Sequence, residues 1–423
     1  MQRVKPQPSN SAGQASVVVS NGCHRFHMYQ TALVYEQDGL LRHFIAGWYL
    51  KSPALMAMLE SPRFTRVAGA RLAKRLRGRR QEALASEHVV SLVLPDLIER
   101  LGRSRLEKWF QPGLFSYCSM RAFGWLSRNY LQGASLFHVR SGYGRSAMAR
   151  AKQQGAVCLV DHSIADPILI GEILQEEASR WRIPYSFPRY HWRCVSQDID
   201  EADHLLVNSQ FVLDTLVTCR GIPAQRITVL PLNVDLTRFS PAPDSERRSG
   251  PFRVLFVGEI GLRKGVLYLL EAFKRLKLAN AELVLIGGVT DIGERLVRSD
   301  VKFCHIPVMP QEDLVPYLGN SSVLVFPSLI EGSARVIQEA MACGLPVITT
   351  PNSGSFIKDG EDGYIVPIRD VDALAKRIRE LYDDPERRTA MGNEARRTAR
   401  RKFTPQRYHD GLVDLYQKLC QRN

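Results

Sequence analysis

No run in this chain comes near the roughly 18 consecutive apolar residues that a membrane-spanning helix needs. Its start, Met1-Gln-Arg-Val-Lys-Pro6, lacks the apolar core of a secretion signal. Eight cysteines occur without a CxxC pair or a Cys/His cluster of zinc spacing, and Cys158 and Cys343 sit in apolar surroundings as reduced core thiols would. A reducing, cytoplasmic setting is the expectation. Low-complexity tracts are missing as well. So are any recognised nucleic-acid motif and any basic strand interleaved with aromatics, so nucleic acid is not an expected partner.

What the chain has in excess is positive charge. Its 57 Lys and Arg against 43 Asp and Glu give a formal net charge of +14, which asks for an anionic partner without naming it. Much of the excess falls in residues 63–80, where Arg63, Arg66, Arg71, Lys74, Arg75, Arg77, Arg79 and Arg80 occur with no acid among them. Leu72, Ala73 and Leu76 give that run an apolar stripe. A basic amphipathic helix of this kind suits an anionic membrane surface, at about 1 kcal/mol per basic residue near the lipid. The same pattern reads equally well as the solvated face of an insertion.

At 423 residues the chain is too long for one compact core, and an apolar fraction of 45% is ample for two. Residues 1–14 are polar and read as a flexible tail. From residue 15 apolar runs alternate with helical patterns. Ala15 to Ser20 reads as a buried strand followed by an Asn21-Gly22 turn, Met28 to Glu36 as a helix, and Arg42 to Tyr49 and His88 to Pro95 as strands. Ala134 to Arg140, Ala156 to Asp161, His204 to Asn208 and Ile227 to Pro231 read as further strands. Residues 241–250, rich in Pro, Ser and charge, have linker composition. The alternation then restarts with strands at Phe252 to Val257, Glu282 to Ile286, Lys302 to Ile306, Val323 to Phe326 and Pro346 to Thr349. Helices are expected over Val266 to Leu276 and around Leu314. This pattern argues for α/β architecture with parallel sheets, as an N-terminal domain 15–240 and a C-terminal domain 251–400, with a cleft at the carboxyl ends of their strands. A closing helix, 401–423, is expected to pack back on the N-terminal domain.

One segment concentrates the chemistry. In Glu331-Gly-Ser-Ala-Arg-Val-Ile-Gln-Glu339 two carboxylates stand eight positions apart between two apolar runs. On a single helix they would be rotated by roughly 80° and share no face. The spacing therefore predicts Glu331 in a loop, Ser333 near a helix N-cap and Glu339 inside the helix. Backbone N–H groups at that N-terminus suit phosphate, and the acids suit sugar hydroxyls. A nucleotide sugar has both parts.

These residues, with others in order, resemble glycosyltransferase family 4. The pieces are Phe256-Val-Gly258, Arg263-Lys264-Gly265, Leu269 to Ala272, Val284 to Gly287, Phe326-Pro-Ser328, Glu331 through Val347, and Asp359 to Gly363. Upstream, Ala202-Asp203, Ser209 to Phe211 and Leu230 to Pro241 match as well. The resemblance covers about residues 200 to 400. It implies the GT-B fold, two Rossmann-like domains facing across a cleft, and a retaining, metal-independent transfer of sugar from a nucleoside-diphosphate donor, with no cofactor. It further implies that the N-terminal half binds the acceptor; the basic run 63–80 points to a glycan or lipid-linked acceptor, as in surface polysaccharide assembly, at the inner face of the membrane. By resemblance Glu331 contacts the transferred sugar, Glu339 the ribose, and Lys264 the diphosphate, while Ser333, Ala334, Arg335 and Val336 offer backbone amides to it. Gly22 corresponds to a small-residue loop near the donor phosphates and His162 to a histidine near the reacting centre. Three positions depart from the family pattern. Glu259 replaces an arginine, a role reassigned to Arg263. Asn233 replaces a glycine and keeps the turn by adopting the left-handed conformation. Ser355 replaces an acid. A protein that keeps the fold and binds nucleotide sugar without catalysis is the alternative.

Overall fold

The computed structural model describes residues 16–24, 26–51, 83–102, 109–241, 250–297 and 299–420. The tail 1–14, the basic run 63–80 and most of the expected linker lie outside the described residues.

The first half supplies β1 (Val17–Gly22), α1 (Met28–Gln37), β2 (Leu41–Ala46), β3 (Val89–Ser91), α2 (Val93–Gly102), α3 (Leu114–Ser127), β4 (Leu136–Arg140), α4 (Arg145–Gln153) and β5 (Val157–His162). Then follow α5 (Pro167–Trp181), α6 (Arg189–Glu201), β6 (His204–Val207), α7 (Gln210–Arg220) and β7 (Ile227–Val229). The seven strands form one sheet in the order β3-β2-β1-β4-β5-β6-β7. The second half supplies β8 (Phe252–Val257), α8 (Val266–Leu276), β9 (Ala281–Ile286), α9 (Gly293–Val297), β10 (Cys304–Ile306), α10 (Gln311–Gly319), β11 (Val323–Phe326), α11 (Arg335–Ala342), β12 (Val347–Thr349) and β13 (Tyr364–Ile365). Its six strands order as β10-β9-β8-β11-β12-β13. Three helices close the chain, α12 (Val371–Asp383), α13 (Pro385–Lys402) and α14 (Pro405–Cys420).

By its contacts the chain gathers into two compact units. One holds Met1–Asp161, Pro188–His204 and Val413–Asn423, the other His162–Phe187 and Leu205–Leu412. In the second unit β11 is buried along its whole length, as a parallel strand covered on both faces must be, so it reads as an unbroken apolar run. Phe256 of β8 stacks on Phe326 of β11 at 5.7 Å, inside a core that also takes Leu255, Leu269, Leu285 and Val325. Helix α5 is fixed to this unit by Glu177. Its buried carboxylate accepts from Trp181 Nε1 and Arg369 Nε, each at 2.7–2.8 Å, and from the Tyr268 hydroxyl.

Several sequence expectations shift. Asn21-Gly22 is the end of β1 rather than a turn, because β1 lies between β2 and β4 and both of its edges pair. The run His88 to Pro95 holds only a three-residue strand. Val93 already opens α2, whose first turn accommodates Pro95 since that N–H has no partner to lose. Asn233 does not enter the left-handed region, which Arg182, Lys277, Asn280, Asp300 and Arg369 occupy among the described non-glycine residues. All eight cysteines are thiols rather than disulfides, and burial pushes the Cys158 and Cys343 thiols up to about 12.

In the first unit the turn after β4 hangs on α6. The Asp198 carboxylate accepts the backbone N–H of Gly142 and of Gly144, both at 2.7 Å. Burial pushes its carboxyl up to about 7 against those two stabilising donors. The folded state therefore holds this proton where the unfolded chain has released it, so the contribution is fully present below about pH 4 and is lost as pH rises to about 7. Asp198→Asn should flatten that decline. Urea unfolding at both ends of the window should show the parent losing about 2–4 kcal/mol more stability across it than the variant. An unchanged decline would mean that another group carries it.

Candidate functional site

In the six-stranded sheet the strand order reverses between β8 and β11, and the carboxyl ends of two such strands form a natural ligand crevice. The loops leaving these two strands are laced together. The Arg263 carbonyl accepts the Leu329 N–H at 2.9 Å and the Ser328 hydroxyl at 3.1 Å. Gly265, at φ +67, ends the short 3-10 turn Leu262–Lys264, and a Cβ on it would stand 2.0 Å from the Pro327 carbonyl oxygen. Only glycine allows the approach, and the approach delivers Lys264 to the β11 loop.

There the Glu331 carboxylate accepts from both Arg263 Nη1 and Lys264 Nζ. Lys264 is 9% exposed, and its ammonium also stands 5.1 Å from the centre of the Phe326 ring. Burial pulls the Lys264 pKa down, while the Glu331 carboxylate opposes the fall. Glu331 stands in a loop, as its spacing predicts, and its backbone is pinned on both sides. Its N–H donates to the Asn352 carbonyl at 2.9 Å and its carbonyl accepts from Ala165 at 3.2 Å.

The helix that follows begins where its pattern predicts: Ser333 stands next to Ala334, the N-cap of α11, which offers no side-chain acceptor to the first amides. The Ser333 hydroxyl is instead engaged by Gln338 Nε2 at 3.2 Å. Arg335 and Val336 occupy the first turn, where amides and helix dipole favour an anion. Glu339 lies within α11, buried, with its carboxyl pKa raised by that burial. Gln311 Nε2 donates to it and Arg335 Nε stands at 3.9 Å.

Gln311 is a residue that sequence reasoning missed. It opens α10 and also borders a cavity of about 380 Å³ formed by Gly258-Glu259, Gly287 to Thr290, Val308 to Gln311 and Leu314. The cavity exists because backbones close up at its floor: Gly287, at φ +147, would place a Cβ 1.8 Å from the Gly258 carbonyl oxygen. Glu259 lines this cavity, and its carboxylate also acts on the Lys264 ammonium, opposing the fall in its pKa. A larger open cavity of about 690 Å³, lined by residues such as Arg128, Arg150 and Gln154, contains none of the site residues.

His162 ends β5 and is fully buried. The residue after it, Ser163, presses its carbonyl against Gly332. His162, Arg263, Lys264, Glu331, Ser333 to Val336 and Glu339 thus all belong to the second unit, while Gly22 belongs to the first. Gly22 sits at φ +84 with the Tyr143 ring packed so closely that a Cβ would lie 2.6 Å away.

Two parallel sheets of seven and six strands, with acids and cations gathered where strand order reverses in the second, define the GT-B class of α/β protein. Comparison with known proteins agrees. The description "Glycosyltransferase Family 4" matches residues 71–238 and "Glycosyl transferases group 1" matches residues 241–398. The chain belongs to glycosyltransferase family 4. The D-inositol 3-phosphate glycosyltransferase of Paenarthrobacter aurescens is 31% identical over 227 residues, 49% of this chain and 56% of that protein. The capsular polysaccharide biosynthesis glycosyltransferase CapM of Staphylococcus aureus is 31% identical over 174 residues, 39% of this chain and 46% of that protein. The matched stretch therefore spans about half the length of these curated relatives. Among solved structures, sucrose-phosphate synthase from Thermosynechococcus elongatus superposes with a TM-score of 0.68 at 19% identity, over 96% of this chain and 100% of that one. Anabaena HepE in complex with UDP-glucose superposes at 0.62 and 14% identity, over 95% and 99%.

Proposed function

We propose that the chain is a retaining glycosyltransferase that moves a sugar from a nucleoside-diphosphate donor to a glycan or lipid-linked acceptor in surface polysaccharide or glycan biosynthesis. The observation that carries the reading is the Glu331 carboxylate held by Arg263 and Lys264 beside the α11 N-terminus. A carboxylate there suits sugar hydroxyls, and the two cations with the helix amides suit a diphosphate. Glu339 is assigned to the ribose, and the cavity beside Gln311, with its apolar rim, to the base.

In the reaction the sugar–phosphate C–O bond breaks and its electron pair leaves on the diphosphate. The acceptor oxygen bonds to the same carbon on the same face, and its proton passes to the departing phosphate oxygen. No side-chain nucleophile is required. Lys264 and Arg263 stabilise the charge that develops on the leaving group, which is where electrostatic preorganisation acts most strongly. His162 is assigned to the reacting centre and Gly22 to the approach of the donor phosphates. Neither metal nor cofactor enters this reading, since the cations and amides neutralise the diphosphate. On the acceptor side, the basic run 63–80 is assigned to an anionic surface at the inner face of the membrane.

HepE is described with UDP-glucose, so UDP-sugars head the donors to test. Thermal shift with UDP- and GDP-sugars should show a stabilising donor. Release of nucleoside diphosphate should follow and disappear in Glu331→Ala. The second reading, a non-catalytic binding protein, is favoured by Glu259, an acid where the family has an arginine. Tight donor binding without turnover, whatever the acceptor, would establish it.

A further inference from the structure

Helix α2 carries its apolar residues on the outside. Asp96 and Glu99 point inward and are buried, and Glu99 engages His24 Nε2 at 2.7 Å. Leu94, Leu97 and Leu101 point outward and are 57%, 44% and 56% exposed. Three leucines at i, i+3 and i+7 form one stripe, which a surface helix ordinarily buries. Beyond them Trp109 is 83% and Phe110 50% exposed. Phe110 is held by packing: it meets Phe115 of α3 edge to face at 5.4 Å, and Phe115 closes on Gly102, where a Cβ would lie 2.2 Å from it.

Exposed apolar side chains gathered on one helix face mark an interaction surface. Its surroundings in sequence are cationic. Arg100 lies over the Trp48 ring at 5.1 Å, and Arg103, Arg105 and Lys108 follow with Glu107 as the single acid. Between Lys51 and Glu82 the sequence holds nine basic residues and two acidic ones. Leucines for the acyl boundary, Trp and Phe for the headgroup level and basic residues for anionic lipid make up the composition of an interfacial anchor. We propose that α2, with Trp109 and Phe110, is a membrane-docking surface that lays its leucine stripe into the interfacial layer of an anionic bilayer. It gives the membrane-side acceptor of the proposed function a physical surface and rests on that reading for its purpose, though not for the binding itself. Through Glu99 and His24 the docked helix is joined to the segment directly after β1.

The test mixes the full chain with vesicles of phosphatidylcholine and phosphatidylglycerol in equal parts, with phosphatidylcholine alone as control. Binding to the anionic vesicles should persist at about 0.5 M salt, because inserted leucines are not screened. The double substitution Leu97→Gln/Leu101→Gln should weaken it at least tenfold or so. Trp109→Phe should remove the blue shift in tryptophan emission that accompanies binding. All three positions are exposed, so Tm should hold. If the double variant unfolds, Leu94→Gln reads the same stripe singly. Two results would overturn the proposal. Binding that vanishes at high salt and ignores the double variant would assign the membrane contact to the basic run alone, and a concentration-dependent dimer abolished by that variant would assign the stripe to a second copy. Donor binding, measured by thermal shift, should be the same in parent and variants. A parent that docks on vesicles yet binds no nucleotide sugar would sink the transferase reading and leave the surface standing.

Discussion

Lys264→Ala should lower turnover by roughly a thousandfold, with a smaller loss in donor affinity. The ammonium lies in a nearly dry position, on Glu331 and over the Phe326 ring, so its charge acts through little screening. Charge on the leaving diphosphate is greatest in the transition state, and an interaction made there lowers kcat rather than raising KM alone. Arg263 has the same partner but a side chain 26% exposed against 11% for Lys264. Its removal should cost roughly tenfold, mainly in donor affinity, because a wetter cation is a weaker one. Removing Lys264 does not orphan Glu331, which keeps Arg263, so Tm should move little. Lys264→Arg should not restore turnover, since a planar, bulkier guanidinium must replace the compact ammonium in its buried place between the Glu331 carboxylate and the Phe326 ring. Initial rates at saturating donor, beside thermal-shift affinities, check all three. If Arg263→Ala leaves donor affinity intact, Arg263 does not replace the arginine that Glu259 displaced.

The parts of this site written along the chain were legible; those made by strand order were not. Val323 to Phe326 and Val266 to Leu276 have the bounds read from the sequence, because a doubly covered strand and an amphipathic helix each leave an uninterrupted pattern. The loop position of Glu331 and the helical position of Glu339 followed from their angular spacing. The bond from Arg263 and Lys264 to Glu331 joins residues 67 or 68 positions apart. It exists because β8 and β11 are neighbours in the sheet, which no local periodicity encodes. Gln311 was missed for a similar reason, since its contact with Glu339 depends on where the β10 loop returns. Val93 and Leu94 were read as the end of a strand because a short apolar run does not distinguish strand from helix. Their helix then shows its leucines outward, against the pattern on which such readings depend.

Gly332→Ala should be the most damaging change that removes no functional group. The added Cβ would stand 1.9 Å from the Ser163 carbonyl oxygen, 2.4 Å from its carbon and 2.8 Å from the Ile164 Cα, all backbone atoms. The loop has no room to retreat. On its other side the Gly332 carbonyl takes the Ser209 hydroxyl and faces Gly354, where a Cβ would lie 1.7 Å from that oxygen. Relief must therefore come from shifting one of three packed segments, at a cost of more than about 2 kcal/mol. The neighbouring residue is Glu331, so any shift carries its carboxylate away from Lys264. A displacement of about 1 Å is enough for a hundredfold loss of rate. Gly39→Ala is the control: it also has a positive φ, +68, but nothing within 4 Å. It should lose about 1 kcal/mol to backbone strain and keep full turnover per folded molecule. Turnover measured well below the Tm of each variant separates the two effects. A Gly332→Ala protein with the parental Tm and rate would show that Ser163 and Ile164 can step aside. The position of Glu331 would then be set by its ion pairs with Arg263 and Lys264 instead of by the backbone wedge.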